Sequence, residues 1–386
     1  MNTKTREIST GNYPINCRQL CFFCAFLLPI GKMLEAPRIF ALYSEGDLLL
    51  PAFLQLLLQG GIIALLLSAC AKEKGPILNA LTQKIGKRWM NVFCFLFCGY
   101  FIFASLLPLL DLDKFCYAAF FDTSPTTFAF APFFLVSGFL CVKSLKAYGR
   151  VFDLSLFLFL PAFLALIIFS LNACDFSNLL PLFEKPFVSS LQTINRTFVF
   201  FSDSAIFLFL LNGYSYQTGD AKKILSSFGA GSIFTLLFFA VFFGVFGTMA
   251  GSEHYAFIKI SQFFSALKTT GRIDLLFCYL LTVLLIFYTC LPLQLATHSI
   301  AKSIGVKPLF VSITLNVGLF IFVLFCNNFY NGFYQWISVN LSYIFLIFSY
   351  ILPILCCLFL LLKNKKQRGR VEVNNKITDK KEKDYA

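Results

Sequence analysis

The stretch Pro29-Ile-Gly-Lys-Met-Leu-Glu-Ala-Pro-Arg38 interrupts the first long apolar run of the chain. It places helix-breaking residues and the charges of Lys32, Glu35 and Arg38 at a depth where lipid accepts neither. Irregular backbone at that depth survives only where it is buried in protein or lines a cavity, and charges there usually serve a ligand or an ion. The stretch therefore predicts a broken transmembrane helix with a binding site at the break.

The composition is that of a polytopic membrane protein. Of the 386 residues, 58% are hydrophobic and 13% are charged, and the mean hydropathy is +0.77. Runs long enough to cross about 30 Å of hydrocarbon recur along the chain and predict an all-α integral membrane protein of about ten spans. The predicted spans are 17–42, 48–70, 89–110, 126–145, 151–172, 187–212, 224–247, 273–300, 308–326 and 336–362.

One membrane domain, residues 17–362, accounts for nearly all of the chain. It follows a short arm, residues 1–16, and precedes a basic tail, residues 363–386, that is charge-rich and predicted to be disordered. The first apolar run lacks a small-residue cleavage site, so we expect a retained helix rather than a signal peptide.

The net charge of +13 is distributed as a topology signal and does not indicate nucleic acid binding. Lys and Arg cluster in alternate loops, and Asp and Glu lie mostly in the loops between them. By the positive-inside rule, both termini are predicted to be cytoplasmic, with residues 175–185 and 251–272 on the outer face.

Nothing in the sequence points to an ordinary enzyme, a cofactor or a metal site. Most of the 14 Cys lie inside apolar spans and the two His are far apart, so the thiols are predicted to pack as small apolar residues. The chain has no phosphate-binding Gly-rich loop ending in Lys-Ser/Thr, and no hydrolase motif.

The charges of the first break have two interpretations. Three-residue spacing puts Lys32, Glu35 and Arg38 on roughly one face of a half-helix. In the first interpretation, Glu35 pairs with Lys32 or with Arg38 and locks the break. In the second, one of the three contacts a ligand or a coupling ion.

The sixth span contains a second disturbed stretch, Phe201-Ser-Asp-Ser-Ala205, in a Phe-rich run. Asp203 lies near the middle of the membrane. It is either a carboxylate paired with Arg196 or with another helix, or a ligand contact, and the flanking Ser202 and Ser204 offer hydroxyls to a kinked backbone.

Breaks five spans apart are expected if spans one to five and six to ten are inverted repeats, as in many transporters. Free N–H groups at a half-helix start suit a carboxylate, and unwound carbonyls suit a cation. We therefore expect an amino acid-like ligand, its carboxylate on the N–H groups of residues 31–34 and its ammonium on Asp203. The candidate ligand-binding residues are Gly31, Lys32, Glu35, Ser202, Asp203 and Ser204.

Four segments give the chain a family resemblance: Cys17-Arg-Gln-Leu20, the break closing at Pro37, residues 175–184 after span five, and residues 271–277 entering span eight. In order and spacing they resemble the spore germinant receptor B-subunit, or spore permease, family of the amino acid, polyamine and organocation transporter superfamily. The resemblance implies a subunit in the inner membrane of bacterial spores that senses a small nutrient and triggers germination. The implied partners are an A subunit, a lipoprotein C subunit and sometimes a small fourth protein.

The sequence departs from this family in span six. The family often has a Phe-Pro-Phe-Gly-Glu type sequence at the break, whereas this chain has Phe201-Ser-Asp-Ser without Pro or Glu, so the identity of the ligand does not carry over. Two other functions fit the same fold. One is a proton- or sodium-coupled transporter of an amino acid or polyamine, and the other is a scaffold subunit that binds no nutrient.

Overall fold

The computed structural model describes residues 15–73, 76–120, 126–180, 186–262, 274–326 and 342–361. Within these ranges the secondary structure is helical, apart from turns and one isolated parallel bridge between Ile15 and Tyr214. Seven helical segments of this part of the chain are long and apolar enough to cross a membrane. The predicted all-α membrane fold is confirmed, while the number of crossings and the inverted repeat stay predictions.

The helices follow the predicted spans closely. Those of the first half are α1 (Cys17–Phe22), α2 (Leu28–Lys32), α3 (Ala36–Ser44), α4 (Leu49–Glu73), α5 (Ile77–Ile85), α6 (Lys87–Phe120), α7 (Thr126–Val142) and α8 (Leu145–Leu171). Those of the second half are α9 (Phe187–Thr197), α10 (Asp203–Leu210), α11 (Asp220–Phe246), α12 (Ala256–Gln262), α13 (Asp274–Ile304), α14 (Pro308–Cys326) and α15 (Ser342–Leu346). The last of these continues through a π-helical turn, Ile347–Ile351, into a helix that extends to residue 361.

Both predicted breaks are present. In the first span, α1 passes through a π-helical turn (Phe23–Leu27) into α2, and the helix stops before α3 begins at Ala36. Pro37 lies in the first turn of α3, where a missing N–H and a fixed φ are tolerated. In the sixth span, α9 tightens into a 3₁₀ turn (Phe198–Phe201) before α10 begins at Asp203.

Helix α5 was not expected from the sequence. It lies between the second and third spans and buries Ile77, Leu78 and Leu81 on one face. Lys84, near its end, pairs with Glu73 at the end of α4. The basic loop predicted there is therefore partly a short amphipathic helix.

The start of the first span is bonded to the end of the sixth. The Ile15 N–H donates to the Gly213 carbonyl at 2.8 Å, and Arg18 pairs with Asp153 of α8 at 3.1 Å. The Tyr214 hydroxyl donates to Asp220 at the start of α11. Burial, and then this hydrogen bond, raises the pKa of Tyr214, so the phenol stays a donor. Residues 1–14 of the predicted arm and the tail from 363 lie outside the described residues.

Helix α11 packs closely on the π-helical turn of the first span. A Cβ atom at Gly231 would lie 2.7 Å from both the Cys24 and the Ala25 carbonyl oxygens. A contact that short does not occur, so the backbones approach each other only because residue 231 has no side chain. Two residues earlier on the same helix, Gly229 has nothing within 4 Å of the corresponding position.

The two glycines therefore predict opposite effects of the same substitution. Gly231→Ala should destabilise the protein by about 1–3 kcal/mol, because the methyl group meets backbone oxygens that cannot rotate away. Gly229→Ala should leave stability unchanged or raise it by up to about 1 kcal/mol through helix propensity. The measurement is the heat resistance of the detergent-solubilised protein. Equal effects of the two substitutions would contradict the close approach at Gly231.

Candidate ligand pocket

An ion pair joins the two breaks. Lys32, at the end of α2, donates from Nζ to Oδ2 of Asp203, at the start of α10. The side chains are 1% and 0% exposed, so both charges are removed from solvent. Burying two charges is repaid only when the geometry is good and their other hydrogen-bonding positions are satisfied.

The other hydrogen-bonding positions of the Asp203 carboxylate are largely occupied. Gln59 of α4 donates from Nε2 to Oδ2 at 3.1 Å, and the Tyr288 hydroxyl of α13 donates to Oδ1 at 3.1 Å. Asp203 thus accepts from three helical elements besides its own. Through these hydrogen bonds, Asp203 connects the sixth span to the first, second and eighth spans.

Lys32 is held in an equally closed environment. Its Nζ donates to the Leu28 carbonyl at 3.0 Å and lies 5.2 Å from the centroid of the Phe201 ring. A cation over an aromatic face is attracted by the ring quadrupole, more strongly where water is excluded. The ammonium therefore has a carboxylate, a carbonyl and a ring as its neighbours.

The carbonyls that lose their helical partners at the sixth-span break accept hydrogen bonds from the last span. Ser349 donates to the Ser202 carbonyl at 2.7 Å, and the Tyr350 hydroxyl donates to the Phe201 carbonyl at 2.9 Å. Both donors come from the π-helical turn Ile347–Ile351. The Tyr100 hydroxyl of α6 forms a 2.7 Å hydrogen bond with the Ser349 hydroxyl and so holds that side chain in place.

Glu35 anchors the first break to the segment that precedes α12. It accepts from Arg38 Nε at 2.8 Å and from the Tyr255 N–H at 3.0 Å, with His254 Nδ1 at 3.5 Å. Close by, the Ala256 N–H donates to the Leu34 carbonyl at 3.0 Å. These bonds cover the break on its predicted outer side.

Gly31 lies directly against the ring of Tyr288. A Cβ atom at Gly31 would be 2.2 Å from Cζ of that ring. Any side chain at residue 31 would displace Tyr288, and with it the hydroxyl that donates to Asp203. The glycine predicted as a helix breaker is thus also required for this close approach.

Two buried polar atoms beside the pair have no partner among the described residues: Oε1 of Gln59 and Oγ of Ser204. Both side chains are 0% exposed. An unsatisfied buried polar group is costly, and in native structures it usually has a water or ligand partner. Both atoms are therefore able to form a hydrogen bond with a small polar molecule or with water. Within the described ranges, no three His, Cys, Asp or Glu side chains are grouped to hold a metal ion.

The structure chooses between the pairings predicted from sequence. Arg38 is the partner of Glu35, and Lys32 pairs with Asp203 across 171 residues of sequence. Arg196, offered as a partner of Asp203, instead donates to the Tyr43 hydroxyl at 2.9 Å. Sequence reasoning failed here because spacing along one helix favours local pairs, whereas the breaks bring distant helices together.

Five of the six candidate residues lie at the junction of the two breaks, and Glu35 lies one turn further along. Ser202 keeps its own hydroxyl bonded to the Val199 carbonyl at 3.0 Å, so its carbonyl is the group directed at the last span. The sequence analysis missed Tyr288 and Ser349. Their only signal was a polar group inside an otherwise apolar run.

The segment at 251–272, predicted to lie on the outer face, is described in part. A 3₁₀ turn (Gly247–Gly251) and α12 carry His254 and Tyr255 to Glu35, and residues 263–272 lie outside the described residues.

The architecture defines a class of protein: an all-helical membrane bundle in which two interrupted spans meet. It is similar to the fold of MhsT, whose crystal structure was solved in complex with L-phenylalanine, with a TM-score of 0.61 and 13% sequence identity. The likeness covers 91% of this chain and 89% of that one. A search of curated protein sequences finds no match.

The sequence comparison is more specific. The spore permease family, described as spore germination protein, matches residues 48–328. The chain therefore belongs to the spore permease family.

The pairing scheme predicts which substitutions compensate each other. Lys32→Met or Asp203→Asn alone should cost about 3–5 kcal/mol, because each leaves a buried charge or donor without its partner. The double variant should be markedly more heat-resistant than the sum of the single effects implies. The matched control is a double-mutant cycle of Lys32→Met with Glu35→Gln. The effects of these two substitutions on heat resistance should be close to additive. Stronger coupling of Lys32 to Glu35 than to Asp203 would overturn the scheme.

Proposed function

We propose that the chain is the nutrient-sensing B subunit of a spore germinant receptor, and that it binds a small amino acid-like nutrient where the first and sixth spans break. The observation that carries the proposal is the junction itself. A buried ion pair joins the breaks, and the buried Gln59 Oε1 and Ser204 Oγ beside it have no partner in the described part of the chain. Family membership supplies the link to germination.

In this proposal Gly31, Lys32, Ser202, Asp203 and Ser204 line the pocket, and Glu35 with its outer contacts closes it. Germination is triggered when the ligand changes how the two broken spans sit against each other. A ligand shifts such an equilibrium only by the difference in its affinity for the two arrangements. Because five spans meet at the junction, a small change in it is passed to the whole bundle.

The proposed partners are the A subunit and the lipoprotein C subunit of the receptor, and the proposed location is the inner membrane of the spore. Both termini would lie in the cytoplasm, and residues 175–185 and 251–272 on the outer face. Family membership supports the partners, and the alternation of basic and acidic loops supports the orientation.

The pocket is tested by Ser204→Ala in spores that use this receptor for one nutrient and other receptors for others. The change removes a hydroxyl that has no partner in the described structure, so receptor abundance should not fall. Loss of one neutral hydrogen bond to the ligand should raise the nutrient concentration for half-maximal germination about two- to tenfold.

The matched control is Ser170→Ala, a buried serine whose hydroxyl donates to the Leu166 carbonyl of its own helix, α8. Ser170→Ala should leave the dose response unchanged. Responses to the other nutrients should also stay unchanged. If both Ser204→Ala and Gln59→Met give the wild-type dose response at normal receptor level, the nutrient site lies elsewhere and the scaffold function is favoured.

The orientation is tested with single cysteines in a background without the native ones. Ser177 and Lys307 are both exposed and follow different spans, on predicted opposite faces. An impermeant thiol reagent applied from outside should label Ser177→Cys and spare Lys307→Cys until the membrane is opened. The reverse pattern would invert the topology.

Transport of an amino acid or polyamine is the second candidate function, and the fold shared with MhsT favours it. Liposomes that contain the purified chain alone separate the two. Saturable uptake of labelled amino acid, driven by a sodium or proton gradient, would identify a transporter. Binding that changes the protein without net uptake supports the receptor.

A further inference from the structure

We propose that Lys32 is the resident cation of this pocket. Its ammonium fills the place beside Asp203 that a sodium ion or a ligand ammonium would otherwise take. The pocket then binds the nutrient through an uncharged hydrogen-bond donor, such as an amide or a hydroxyl. The inference rests on the proposed function for the location of the pocket.

The charges at the two breaks are already balanced. Lys32 and Asp203 neutralise each other, and Glu35 is balanced by Arg38. An entering cation would meet a carboxylate that is already paired. If it displaced Lys32, the buried ammonium would keep only the Leu28 carbonyl at 3.0 Å and the Phe201 ring, and an uncompensated buried charge is strongly destabilising.

The oxygen atoms that a sodium ion would need at the sixth-span break already accept hydrogen bonds. A bound sodium ion at a broken helix is coordinated by unwound carbonyls and helix ends. Here the unwound carbonyls of Phe201 and Ser202 already accept hydrogen bonds from Tyr350 and Ser349. The carboxylate of Asp203 is surrounded by donors, from Gln59 and Tyr288 as well as Lys32. Around Asp203 the site therefore presents protons where a metal ion requires lone pairs.

Two polar groups at the junction remain unpaired. Gln59 uses its amide N–H₂ on Asp203, at 3.1 Å, which leaves Oε1 as an acceptor without a donor in the described structure. The Ser204 hydroxyl is the other unpaired group. An amide oxygen only accepts, so its partner is an N–H or O–H of the ligand. Because Lys32 and Glu35 already have charged partners, a neutral donor enters without leaving an uncompensated charge. The chemistry left open at the junction is therefore that of hydrogen bonding without charge.

The experiment uses the purified full-length chain in detergent and needs no nutrient, so it fails or succeeds independently of the germination tests. Thermal unfolding is followed in sodium chloride, choline chloride, n-propylammonium chloride and tetramethylammonium chloride at equal ionic strength. The wild-type midpoint should be the same in sodium and choline. A midpoint raised by sodium relative to choline overturns the proposal without any variant.

Lys32→Ala removes the part of the side chain that n-propylammonium matches in length and charge. The midpoint of this variant should fall and should be restored in a saturable way by n-propylammonium, as expected for a ligand that binds only the folded state. Tetramethylammonium, which has no N–H, should not restore it. A folded Lys32→Ala protein that does not respond to n-propylammonium overturns the proposal.

The double variant Lys32→Ala with Asp203→Asn is the matched control. It keeps the cavity and removes the carboxylate, so n-propylammonium should give no recovery. Recovery in the double variant would show a general solvent effect and would overturn the assignment of Asp203 as the cation partner. If Lys32→Ala alone does not fold, the wild-type comparison of sodium with choline still decides.

Discussion

The bundle depends on one ion pair between residues that are 171 positions apart, Lys32 and Asp203. Two transmembrane helices are interrupted at the same depth, and each interruption leaves polar backbone and charge where water is absent. Neither break is acceptable alone, because a single buried charge costs several kcal/mol. Placed against each other, the breaks supply opposite charges, and the remaining donors and acceptors come from the second, eighth and last spans.

The contacts on the two sides of the junction differ. On one side, the Ile15 N–H donates to the Gly213 carbonyl, and a partly exposed ion pair joins Arg18 to Asp153 of α8. On the predicted outer side, one turn beyond the junction, Glu35 accepts from Arg38 and from the backbone N–H of Tyr255. The junction of the two breaks therefore lies between two sets of contacts that are each a few hydrogen bonds strong.

The fold was largely predictable from the sequence, and the site only partly. Apolar run length fixes a transmembrane helix because lipid leaves the backbone no other partner, and Pro29, Gly31 and Pro37 locate the first break from local chemistry alone. The contacts of Lys32 were not predictable in the same way, since Glu35 and Asp203 were both acceptable partners and only the packing of distant helices decides between them. The only local signal of Tyr288 and Ser349 is a polar group in an apolar run, which does not specify its partner. Helix α5 was missed because a short amphipathic helix in a basic loop has too few apolar residues to register as a span.

The ion pair also constrains how this sequence can change over generations. A substitution at residue 32 or residue 203 alone leaves a buried group without its partner, whereas a joint change to an uncharged pair does not. Residues 32 and 203 are therefore expected to vary together. Relatives that lack an acid at position 203 should also lack the lysine at position 32. Across the family, this would appear as covariation between the first and sixth spans.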